Sequence, residues 1–214
     1  FWSTVASAFK LSLEHLEPIQ LVLYSTLFSI CVLFILVLYQ GKLNLIKSFS
    51  RDDLKKCALL GFLNPCLYYI ILFKAYDVLP AQEAMVINFS WPVMLVILSI
   101  PILKQTIDVK SFLSIIVCYL GVVVIATNGD IFSMQFVNPF GVFLMLISTV
   151  IWSLFWLFNT KNSNDSLVSL FLIFLFSFPL ILLFVLLTHS FVVPSVKGLM
   201  GSIYIGFFEM GISL

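Results

Sequence analysis

The sequence predicts an all-α polytopic membrane protein, and three observations carry that prediction. Of its 214 residues 62% are hydrophobic and only 10% charged, and the mean hydropathy is +1.16, well outside the range of a water-soluble domain. The apolar residues gather into runs bounded by charges and turn formers, several of them roughly 20 residues long, the helical length that crosses the hydrocarbon core. The basic residues collect in alternate connections between those runs.

The first run, 1 to 13, opens on FWSTVASAFK with neither a methionine nor a basic leader, so it is expected to begin partway through a helix. Runs near 19 to 40 and 56 to 76 follow, the second containing Asn64 and Pro65. The fourth, PAQEAMVINFSWPVMLVILSIPIL from Pro80 to Leu103, carries Glu83, Asn88 and Ser90 among its apolar residues. Pro92 has no N–H and crowds the preceding turn, which leaves the Asn88 carbonyl without its helical partner. In lipid such a group must be met by a neighbouring helix, a polar side chain or water, so this span is expected to face a protein-lined cavity. Runs near 110 to 127, 139 to 160, 167 to 188 and 197 to 214 bring the count to eight spans. The last is still apolar at Leu214, so both ends are expected to cut through helices. Pro65 and Pro179 are read as breaking spans three and seven.

Eight of the 11 Lys and Arg lie on one side of this arrangement: Lys42, Lys47, Arg51, Lys55, Lys56, Lys104, Lys110 and Lys161. Positive-inside bias assigns that side, including loop 41–56, to the cytoplasm. Glu14, Glu17, Asp77 and Asp130, together with His15 and His189, then face outward.

An internal repeat is also visible. FWS at 1–3 recurs as IWS at 151–153, and LLGFLNP at 59–65 is echoed by YIGFFEM at 204–210, an offset of 145 residues. Five spans separate the copies, and an odd number inserts the second upside down. Inverted repeats of this kind characterise many secondary transporters, with substrate held near the midplane. Chance similarity between apolar helices is the competing reading.

FWSTVASAFKLSLEHLEP resembles the first helix and loop of the EamA-like branch of the drug/metabolite transporter superfamily. PAQEAMVINFSWPVMLVILSIPILKQ resembles that branch's fourth helix, and IYIGFFEMGISL is similar to the start of its eighth. The resemblance covers essentially the whole chain and implies an inverted repeat of two five-helix halves, ten helices in full length. Residues 1–127 would form the first repeat and 139–214 an incomplete second. The implied function is a secondary transporter, in the cytoplasmic membrane, that moves a small metabolite by alternating access without a cofactor. An amino-acid-like or amphipathic substrate and the export direction come from the same likeness. Two departures take substrate identity out of what it carries. Lys104 and Gln105 stand where many members end helix four with an acid, and span two lacks the arginine many members have there.

Candidate pathway residues follow from polarity at depth, because polar groups inside spans are costly and usually face a bundle interior. Asn88 and Trp91 share a face of span four with Ala84. Trp2 and Trp152 are paired by the repeat. Glu209 lies about 12 residues into span eight, ~18 Å deep at 1.5 Å per residue, where a carboxyl must be protonated, paired or facing a wet cavity. That makes protons the candidate coupling ion, and Asn64 is the uncharged counterpart of Glu209 in the repeat. The plainer readings stay open: Asn88 and Glu209 as interhelical hydrogen-bonding glue, and the tryptophans as interface anchors.

Cys31, Cys57, Cys66 and Cys118 lie inside apolar runs without the spacing of a metal site or a disulfide framework, and no metal or cofactor is expected. No HExxH, Walker lysine or nucleophile elbow is present, and no basic stripe interleaved with aromatics suggests nucleic acid. A secondary transporter leads the function classes, ahead of a non-transporting scaffold or inactive fragment and of an integral membrane enzyme. Its expected partners are a small-molecule substrate and the surrounding lipids, and nothing in the sequence fixes an oligomeric state. The topology has a direct check. A cysteine at Ser48 is expected to resist an impermeant maleimide added outside intact cells, and ready labelling would invert the orientation.

Overall fold

The computed structural model describes residues 2–126, 129, 138–188 and 191–212, with the side chains of Trp2, Ser3, Ile125 and Ala126 outside that description. Asp130, His189 and Leu214, placed by the sequence in outer loops or at the end of span eight, lie outside the described residues. Among those described, the regular elements are all helical. They are α1 (Trp2–Leu13), α2 (Pro18–Tyr39), a 3-10 segment (Lys42–Ser48), α3 (Arg51–Gly61), a π turn (Phe62–Leu67) and α4 (Tyr68–Val78). Then come α5 (Ala81–Asn88), α6 (Trp91–Leu103), α7 (Val109–Ala126), α8 (Pro139–Asn159), α9 (Ser166–Thr188), α10 (Val196–Tyr204) and a π segment (Ile205–Ile212). All eight apolar runs therefore form helix. Five stretches are long and apolar enough to cross a membrane: Pro18–Tyr39, Arg51–Val78, Ala81–Leu103, Pro139–Asn159 and Ser166–Thr188, with shorter apolar helices at Thr4–Leu13 and Val109–Val124. The fold is that of an all-α polytopic membrane protein.

Helix starts follow from local chemistry. Ser50 accepts from the Asp53 amide while Asp53 returns a bond to the Ser50 amide, a capping box that opens α3. Asn138 accepts from Gly141 N at 2.9 Å at the head of α8, and Ser195 from Gly198 N at 3.2 Å at the head of α10. Asp165 accepts from Leu167 N and Val168 N, both at 3.1 Å, at the head of α9. The same aspartate pairs with Lys42 at 2.8 Å, and this lysine holds its carboxyl below the usual carboxylate range.

That ion pair joins the basic 41–56 connection to the α8–α9 connection. Lys161 Nζ donates to Ile102 O at 3.4 Å, which brings in the end of α6. At the opposite end Lys10 Nζ donates to Asp77 O at 3.2 Å, and the Tyr24 hydroxyl to Val192 O. Alternate connections thus meet at the same end, as up-and-down threading requires. In α7, Phe112, Leu113, Ile116, Val117 and Leu120 are exposed, an apolar exterior unlike that of a water-soluble helix.

Two close crossings fix the interior. A Cβ on Gly61 would collide with Ile173 O of α9 and press on Ser177 N at 3.3 Å. One on Gly206 would meet Ser25 O of α2 at 2.5 Å and Ser29 N at 3.2 Å. In each case the glycine lies against a carbonyl and against the amide four residues further on. Gly61 and Gly206 are also the glycines that GFLNP and GFFEM place in register. Small residues let helix backbones approach this closely in membranes.

One proline departs from expectation. Pro179, read as a break in span seven, sits inside α9, which runs from Ser166 to Thr188 without interruption. It lies on the exposed side of the helix, and transmembrane helices absorb such a residue by small local adjustment of the backbone. Pro65 and Pro92 do coincide with interruptions, as described below.

The glycine crossings carry a prediction. Gly61→Ala should destabilise the protein by about 1–3 kcal/mol, since the new methyl meets backbone that cannot rotate away. Gly121→Ala, where nothing lies within 4 Å, should be neutral or slightly stabilising. Thermal unfolding of both variants in one detergent would check the contrast, and equal midpoints would refute it.

Candidate functional site

Three of the spans are interrupted where their polar residues fall. Between α3 and α4 the backbone leaves helical geometry at Asn64 (φ −143°, ψ 123°), just ahead of Pro65. Between α5 and α6, Phe89 and Ser90 form a turn, and Pro92 occupies the first turn of α6, where its missing N–H costs nothing. Beyond α10 the chain widens into the π segment that holds Glu209. Two of the interruptions find polar company from a neighbour. Ser153 Oγ of α8 donates to Trp91 O at 3.1 Å as well as to Thr149 O at 2.7 Å. Ser29 Oγ of α2 donates to Met210 O at 2.8 Å.

Two of these interruptions open onto one cavity of about 180 Å³, whose lining comes from α1, α4, α5, α6, α8 and the π segment. Val5, Ala6 and Phe9 supply one wall, Tyr68 and Tyr76 another, and Met85, Asn88, Phe89 and Trp91 the broken span. Trp152 and Trp156 of α8 and the carboxyl of Glu209 complete it. The rings brace each other: Tyr68 and Trp152 have centroids 4.6 Å apart, Trp152 and Trp156 5.9 Å, Trp91 and Trp152 6.4 Å, and Phe9 and Tyr76 5.0 Å. Tyr68, Tyr69 and Tyr76 lie near Glu209, and the Asn88 amide lies beside the Tyr68 hydroxyl. Among the described residues Asn88 Oδ1 and Trp156 Nε1 are buried without a hydrogen-bond partner. The chemistry on offer is therefore aromatic enclosure, one carboxyl and a few unspent polar atoms.

A larger hollow of about 760 Å³ lies at the end of the bundle where Lys10 meets Asp77, lined by Glu14, His15, Glu17, Lys74 and Asp77 with the surrounding loop and helix ends. It touches none of the aromatic cavity's residues. Here Lys74 is paired with Asp77 at 2.8 Å, the helix-end pairing that their spacing suggests.

Of the residues singled out from sequence, the fold gathers Glu209, Asn88, Trp91 and Trp152 around one space. The Trp2 side chain lies outside the described residues. Asn64 is completely buried but is not part of the lining, and both its amide atoms lack partners among the described residues. Sequence reasoning missed Tyr68, Tyr76 and Phe9, and did not single out Trp156. The two tyrosines, eight residues apart on one helix face with hydroxyls at membrane depth, were the available signal.

Comparison with known proteins bears on this arrangement. The model of the EamA-like transporter family matches residues 1–127. An uncharacterized transporter of Archaeoglobus fulgidus is 29% identical over 151 residues, covering 70% of this chain and 50% of that protein. The chain thus spans about half the length of that curated relative. A protein of known crystal structure superposes with a TM-score of 0.68 at 19% identity, covering 99% of this chain and 73% of its own, a likeness of fold.

The aromatic packing yields a second prediction. Trp152 touches the rings of Tyr68, Trp91, Phe155 and Trp156, so Trp152→Ala should cost about 3–5 kcal/mol of stability. Trp152→Phe should cost a minor fraction of that. Denaturant or thermal unfolding of both variants measures the difference, and an unchanged midpoint for the alanine variant would show that the ring stack is not structural.

Proposed function

Because the chain belongs to the EamA-like transporter family, we propose that it is the membrane-embedded body of a secondary carrier for a small solute, amino-acid-like or amphipathic. The aromatic cavity around Glu209 is its binding chamber. The observation that carries this reading is that two broken spans, α5–α6 and the α10 span, come together at the cavity that holds the chain's deeply placed acid. Broken helices with polar residues at midplane are how many carriers build their sites.

In this reading residues 1–127 and 139–214 belong to two inverted halves, and the solute crosses as one half rocks against the other. The matched glycine crossings, Gly61 on α9 and Gly206 on α2, support that symmetry. Loop 41–56 faces the cytoplasm, the membrane is the cytoplasmic one and the direction is export, with protons as the coupling ion. Reconstituting the full-length protein in liposomes and screening amino acids, nucleobases and amphipathic drugs under imposed gradients tests the reading. Movement of no solute under any gradient would remove it.

Proton coupling makes a sharper prediction. If Glu209 takes up and gives back the coupling proton, Glu209→Gln should abolish the dependence of flux on a pH gradient while the protein still inserts and folds. The groups around it, Tyr68, Tyr69 and Tyr76, remain in that variant and cannot replace a carboxyl at ordinary pH. Flux that keeps its full pH dependence would make Glu209 an interhelical strut.

A further inference from the structure

We infer that the cavity takes a small organic monocation, an amine or amino alcohol, in preference to a zwitterion, an anion or a neutral analogue. This rests on the carrier reading and narrows it to a substrate class.

Charge comes first. Glu209 is the ionisable carboxyl of the lining, and among the described residues no Lys, Arg or His belongs to that lining. Lys10 donates to Asp77 O and Lys74 pairs with the Asp77 carboxylate, and neither lysine belongs to the lining. A ligand carboxylate placed here would be buried without a cationic partner and near an acid, which costs several kcal/mol on general grounds. An amino acid, with both charges, would satisfy one end and strand the other.

The walls point the same way. Trp91, Trp152, Trp156, Tyr68 and Tyr76 present π systems around the space. The negative faces of such rings attract ammonium groups, tryptophan most strongly. An ammonium also brings up to three N–H donors and no acceptor. Glu209 and the unpartnered Asn88 Oδ1 are acceptors for them. Trp156 Nε1, a donor without a partner among the described residues, suits a hydroxyl or carbonyl oxygen on the same ligand. Size closes the argument. At about 180 Å³ the cavity lies below the roughly 300–1,000 Å³ that houses drug-sized ligands.

The test uses the full-length protein in nanodiscs at mildly alkaline pH. Three of the four tryptophans line the cavity, so their fluorescence reports its occupancy. Four probes share a phenyl ring and a two-carbon tether while the head group changes: phenethylamine, phenethyl alcohol, phenylalanine and hydrocinnamate. Phenethylamine should bind about ten- to a hundredfold more tightly than the alcohol, the range of a hydrogen bond to a charged group. Phenylalanine and hydrocinnamate should both be weaker than the amine. Glu209→Gln should collapse the advantage of the amine and leave the alcohol near its wild-type affinity. Equal binding of amine and alcohol, tighter binding of phenylalanine, or no response to any probe would each overturn the inference. The wild-type ranking decides the matter even if Glu209→Gln does not fold. Flux of some other solute in liposomes alongside such a failure would leave the carrier reading in place and remove the substrate class alone.

Discussion

In hydrocarbon no water is at hand to satisfy a bare N–H or carbonyl, and that constraint governs where this chain can interrupt its helices. Asn64 at the bend, Ser90 in the turn, and Ile205, Gly206, Met210 and Gly211 of the π segment are buried against protein. Two of the interruptions receive a serine hydroxyl from the helix alongside, Ser153 onto Trp91 O and Ser29 onto Met210 O. The interruptions release backbone from the helical ladder, neighbouring helices then have to enclose it, and the enclosed volume becomes a cavity. The site is thus a consequence of how the fold pays for its irregular backbone.

Enclosure demands close approach, and glycine provides it. At Gly61 and Gly206 the fit against backbone leaves no room for even a methyl group. These glycines lie one turn or less before Asn64 and Glu209 in their spans, so tight crossing and irregular backbone are neighbours in both. Interfaces packed this closely rearrange between discrete arrangements more readily than they deform continuously. In the proposed carrier, a rigid glycine crossing next to a loosened turn would be a workable pivot. The α2 and α9 helices, which carry the other face of the two crossings and also pack on each other, would be its fixed side.

How much of this was legible in the sequence depended on the range of the interaction. The class of protein and all eight helical runs followed from hydropathy, because burial in lipid acts on each segment separately. Pro92 marked the α5–α6 break, since the loss of an N–H is a local event. Pro179 showed the limit of that rule: α9 absorbs it, and only its exposed setting in the fold explains why. The gathering of Glu209, Asn88, Trp91 and Trp152 was only partly legible. Each could be picked out as polar or aromatic at depth, but six elements had to assemble before they shared a space. Trp156 and Tyr76 were passed over because a tryptophan or tyrosine near a span end looks the same whether it anchors to headgroups or turns inward. Asn64, matched to Glu209 by the repeat, ended up buried beside the lining rather than in it.

That last asymmetry matters for how one chain can make a selective site from two related halves. Symmetric halves would present the same group twice, and two carboxyls at this depth would repel each other or demand two counter-charges. In the proposed carrier one half contributes Glu209 and the other an amide at the matching position, and Glu209 is the one carboxyl among the described residues that line the cavity. The aromatic residues of the lining leave ring faces that tolerate a cation better than an alkyl wall does. An acid among such faces would discriminate by the sign of charge before it discriminated by shape. Shape is left to Met85, Phe9 and Phe89, side chains that fill space without committing a polar atom. Selection by charge in the polar corner and by size along the apolar wall would let one scaffold change its cargo through substitutions on the wall, with the acid left where the fold has already enclosed it.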